Sequence, residues 1–74
     1  MRLEQILKKK VNQRSHKEKV FVAAMVIKES WADEEDSLLR AEDAAALILR
    51  RENWEDRGDG PRIREIAKEI QEYF

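Results

Sequence analysis

A cluster of cations near the start of this sequence is the group best placed to do chemistry. Lys8, Lys9 and Lys10 are followed by Arg14, Lys17 and Lys19, and cations spread along one helix can neutralise successive phosphates of a polyanion. Lys8, Lys9, Lys10, Arg14 and Lys17 are therefore the candidate polyanion contacts. Against this, adjacent residues point in different directions around a helix, and no aromatic side chain is interleaved for base stacking. A solvated charged face accounts for the same pattern.

Trp31 and Trp54 offer a different chemistry. Both fall near expected helix ends, where large exposed aromatics anchor partner proteins. The competing reading is that each closes one end of a small core. These two are the candidate partner contacts.

Other groups carry less. Asp33, Glu34, Glu35 and Asp36 could take a hard cation, but neither this run nor the segment from Asp56 to Glu65 has the alternating acids, glycine and closing glutamate of a calcium-binding loop. The acidic run is read as a solvated helix start, favoured by unpaired N–H groups. Arg57-Gly58-Asp59 is read as a turn. His16 follows Ser15 directly with no acid placed in sequence to orient it, and adjacent Ser and His are not how a nucleophile and its base are brought together. His16 is expected to be a surface residue at a helix start. A glycine-rich phosphate loop, paired carboxylates on a defined scaffold and a zinc signature are all absent. No catalytic, cofactor-binding or metal-binding residue is expected, and the chain is read as non-enzymatic.

Composition narrows the classes further. With 74 residues, no cysteine and one histidine, neither disulfides nor the usual zinc sites can supplement a core that is small at this length. Tight helix packing or self-association must compensate. No stretch reads as a secretory leader, and the apolar run from Val20 to Ile27 is too short to span a bilayer, so a cytoplasmic protein without a membrane contact is expected. Charged residues make up 42% of the chain at a net charge of −1. Their distribution is lopsided, with +5 over residues 1–19 and −7 over residues 29–59, a separation that fits either a polyanion-binding arm or mutual attraction between chains. The absence of threonine beside abundant Glu, Lys and Arg would also suit a heat-adapted protein with ion-pair networks.

The elements that must position these groups are all helical. Leu3, Ile6, Leu7 and Val11 mark a first helix near 2–14. Ser15 with Glu18 three residues on is a capping box for a second helix near 16–31, and whether the first two are continuous stays open. The run from Val20 to Ile27, apolar on every side, could be a buried strand. The cap before it, its alanines and methionine, and the lack of a strand partner favour helix. A third helix near 35–53 ends with Arg50 and Arg51 close to its negative end. Two glycines and the only proline between Glu55 and Pro61 make a loop, with Asp59 or Gly60 as cap and Pro61 opening a fourth helix near 61–74. There Ile63, Ile66, Ala67, Ile70, Tyr73 and Phe74 form the clearest amphipathic stripe. Residues Arg62 to Ile70 resemble the first helix of helix-turn-helix pairs, but over nine residues only and with no expected recognition helix after them.

The expectation is an all-α, single-domain, compact three- or four-helix bundle over residues 1–74, with short antiparallel connections. It is built on the second and third helices, packed closely through alanines. Val20, Val22, Ala24, Ile27, Leu38, Ala45, Ile48, Leu49, Ile63, Ile66 and Ile70 supply much of its core. The central helices carry more apolar surface than their neighbours can cover, which implies a protein interface and a homodimer. The functional expectation is a small regulatory or adaptor protein acting through protein–protein contact. The alternative is a nucleic-acid-associated protein using its basic first helix.

Overall fold

The computed structural model describes residues 2–30, 34–52 and 60–74. Within them the chain forms four α-helices, α1 (Leu3–Leu7), α2 (His16–Ser30), α3 (Glu34–Glu52) and α4 (Gly60–Gln71), and a 3-10 turn at Val11–Gln13. No described residue is in a strand, so the run from Val20 to Ile27 is helical, as expected. No described helix is long and apolar enough to cross a membrane.

The expected first helix near 2–14 is cut short. Helix α1 ends at Leu7, the chain is extended at Lys10 and Arg14, and the 3-10 turn stands between them. Five residues holding one buried side chain, Ile6, are below the length at which a helix persists by propensity, so tertiary contact has to fix its end. The Arg14 guanidinium does so, donating to the Ile6 carbonyl at 3.2 Å and the Lys9 carbonyl at 3.3 Å. The first two helices are therefore separate.

Helix α2 starts on a reciprocal cap. The Glu18 amide donates to Ser15 Oγ at 3.2 Å, and the Ser15 amide donates to Glu18 Oε1 at 2.9 Å, which satisfies two of the donors a helix start leaves open. Val20, Ala24 and Ile27 face the core at spacings of four and three, while the Phe21 ring meets Tyr73 edge-on at 5.5 Å and 79°. Gly60 and Pro61 open α4, where proline's missing N–H costs nothing.

The core joins α2, α3 and α4. Ile66 and Ile70 of α4 are its largest fully buried side chains, facing the fully buried Ala24 of α2 and Ala41 and Ala45 of α3. These alanines let the helix backbones approach closely. Helix α3 makes its most extensive contact with α4 rather than with α2, so α4 is a central member and not merely a lid. Of the expected core, Leu38 is a correction, because 47% of it is exposed. The buried row of α3 runs Ser37, Ala41, Ala45, Ile48, and Leu38 sits about 100° around the helix from its start. Helix α4 has 12 residues against 19 in α3, about 18 Å against about 28 Å, so it cannot cover α3 throughout. Val22 and Ile63 are half-buried.

The Cα envelope measures 31 × 31 × 16 Å. Its thin direction has room for two helix layers at the usual spacing of about 8–10 Å. Helices α2 and α3 consequently keep a flank in solvent, where Val26, Leu38, Leu39 and Leu47 are exposed.

Candidate functional site

The five candidate polyanion contacts do not form one stripe. Because α1 ends at Leu7, Lys8, Lys9 and Lys10 follow the helix rather than lie along it. Lys9 stays exposed but is paired, its Nζ 2.9 Å from Glu18 Oε2 and 3.1 Å from Oε1. Glu18 accepts from the Ser15 amide as well as from Lys9, and these bonds hold its carboxyl down to about 2. Arg14 is taken up by the end of α1. Lys8, Lys10 and Lys17 are exposed. Trp31 and Trp54 lie outside the described residues, as do Asp33 and the tripeptide Arg57-Gly58-Asp59.

The sequence reading missed His16. Its Nδ1 is 2.7 Å from Glu52 Oε1 at the end of α3, and its Nε2 is 2.6 Å from Glu69 Oε2 in the last turn of α4. A neutral imidazole has one N–H to give, so two carboxylate contacts require both ring nitrogens to be donors, which is the imidazolium. Burial works against that charge, but the bonds to Glu69 and Glu52 outweigh it and the pKa of His16 lies above its ordinary value. Lys19 adds a longer contact to Glu52 at 3.8 Å. The ends of α3 and α4 are thus tied to the start of α2.

This clamp has no signature along the chain, since its members are 36 and 53 residues apart. One signal was present. A carboxylate closing a helix and a histidine opening one both oppose the helix dipole, and Glu52 and His16 compensate each other across space. Glu52 and Glu69 sit at opposite edges of the ring, so they share no point at which a metal could bind. Among the described residues, no three His, Cys, Asp or Glu side chains gather to hold a metal ion.

A second feature lies on the other flank of α2. Val22 and Ala23 of α2 and Ala44, Leu47 and Ile48 of α3, with Val11 of the 3-10 turn, line an open cleft of about 190 Å³. Leu47 is 56% exposed on this surface, and Val26, one turn beyond Val22, is 50% exposed. Its charged lining residues are Arg14, Lys19 and Arg51. A hollow of about 380 Å³ beside His16 is of a different kind, with His16 and Lys17 facing Glu69 and Glu72 so that cations and carboxylates balance.

Comparison with known protein families, with curated proteins and with solved structures finds no match for this chain.

Proposed function

We propose that this chain is a non-catalytic interaction module that docks a partner protein in the cleft between α2 and α3. The observation that carries the reading is the exposure of Leu47 on the wall of an apolar cleft, with Val26 exposed one turn beyond Val22 on α2. A small helical domain that leaves such a row uncovered gains by covering it, and helical partners lay apolar side chains into grooves of this shape. The volume of about 190 Å³ is below the roughly 300–1,000 Å³ of small-molecule sites, yet above the ~150 Å³ that accepts a benzene-sized group. It suits one or two aliphatic side chains of a partner.

The nucleic-acid alternative draws less support, because Lys9 is paired with Glu18 and Lys8, Lys9 and Lys10 follow α1 rather than lie along one helix face. The test is parallel affinity capture with the wild type, with Leu47→Gln, and with Lys8, Lys10 and Lys17 all changed to Glu. Proteins retained by the wild type and the triple variant but lost with Leu47→Gln are expected. Nuclease-sensitive material lost only with the triple variant would transfer the function to the basic segment.

A further inference from the structure

We infer that the occupant of the α2–α3 cleft is an amphipathic helix whose apolar residues are flanked by carboxylates. The inference rests on the docking reading above and adds the chemistry of the partner. Every charged residue lining the cleft is a cation. The Arg14 guanidinium is bonded to two carbonyls, which orient it without neutralising it. Lys19 reaches Glu52 only at 3.8 Å, and that carboxylate is held more closely by His16. Arg51 lies one turn beyond Leu47 on α3 and is exposed. The apolar floor is thus lined by three positive groups, with Arg51 exposed and Lys19 only 12% exposed, fitting a helix with a leucine-like residue for the floor and Glu or Asp one turn away to meet Arg51.

A second copy does not fit this place. Symmetric pairing would set the same surface against itself, and that surface brings no lining carboxylate to meet Arg14, Lys19 and Arg51. Self-association would have to use another surface, such as the exposed Leu38 and Leu39 at the start of α3.

The experiment uses three fluorescein-labelled synthetic helical peptides, read by anisotropy at low and physiological salt. The first carries leucines at i, i+4 and i+7 flanked by glutamates, the second replaces the glutamates by lysines, and the third keeps the glutamates but replaces the leucines by serines. The protein variants are Leu47→Gln and Arg51→Glu, with circular dichroism confirming that both fold. The inference predicts at least tenfold preference for the Leu/Glu peptide over the Leu/Lys peptide, narrowing as salt rises. It predicts loss of binding with Leu47→Gln or with serines, and a smaller preference in Arg51→Glu, where two of the three cations remain. Equal binding of the two leucine peptides, lost with Leu47→Gln, would overturn the acidic partner and leave the docking reading standing. Binding of neither would overturn both. Binding of the Leu/Glu peptide that survives Leu47→Gln would place it elsewhere and overturn the inference. So would sedimentation with dioleoylphosphatidylglycerol vesicles without peptide binding, or a dimer dispersed by Leu47→Gln.

Discussion

Replacing His16 by alanine removes one side chain and two inter-helix contacts, and its cost can be worked out from the clamp. A hydrogen bond to a charged group contributes about 1.5–3 kcal/mol when well buried. His16 is 30% exposed, Glu52 22% and Glu69 46%, so solvent screens the pair and rehydrates the carboxylates once the imidazole is gone. The expected loss is about 1–2 kcal/mol, out of a total of roughly 4–11 kcal/mol for a domain of this length. That corresponds to a fall in Tm of roughly 5–15 °C. The pH dependence is more diagnostic. The folded pKa of His16 is raised, so the contribution is fully present below its unfolded value of about 6.5 and is lost as pH rises through the folded value. There is one histidine and no cysteine, so no other side chain has an ordinary value in this window. Urea unfolding followed by circular dichroism between pH 5.5 and 9 should show the wild type losing stability with rising pH while His16→Ala stays nearly flat. A wild type flat across the window, or a variant that keeps the same slope, would refute the clamp.

Three further outcomes follow from the packing and the caps. Ile66→Ala should cost about 2–5 kcal/mol by opening a cavity between α4 and its neighbours, measured by urea unfolding; a change below about 0.5 kcal/mol would mean that α4 is not docked. Glu18 has a folded pKa of about 2 against an ordinary 4.5, so its contribution is present above 4.5 and is lost as pH falls toward 2. Carboxyl titration by NMR should find that depressed value, moving upward in Ser15→Ala and in Lys9→Ala. Leu38→Ser should change stability by less than about 0.5 kcal/mol, as suits an exposed position, whereas a loss of 2 kcal/mol or more by urea unfolding would restore Leu38 to the core.

Local rules carried much of the fold. The cap at Ser15 and Glu18, the helical reading of Val20 to Ile27, and the burial of Ile66, Ala67 and Ile70 in α4 all depend on neighbours within one or two turns, and all are present, whereas Phe74 at the end of the expected stripe lies beyond α4 and is 46% exposed. Properties set by distant contacts were not legible. The end of α1 depends on Arg14 reaching back to Ile6, and a stripe of Leu3, Ile6, Leu7 and Val11 gives no warning of that. Leu38 is a good core residue by type, and only the length and position of α4 decide that it stays exposed. The surplus apolar surface on the central helices was legible as a quantity, but its location in a cleft between Val22 and Leu47 was not. Arg14, Lys19 and Arg51 come from different elements, so their convergence could not be read from a local cluster. His16 was set aside because its partners are remote in sequence, although the unfavourable placement of Glu52 at a helix end hinted at one.

Docking in the α2–α3 cleft is tested most directly by a nitrogen-15 chemical-shift titration of the whole chain with the Leu/Glu peptide. The largest saturable shifts should fall on Val22, Ala23, Ala44, Leu47 and Arg51, with the exposed lysines Lys8 and Lys10 little changed. Shifts centred on Lys8 to Lys10, or an unchanged cleft at saturating peptide, would contradict docking there.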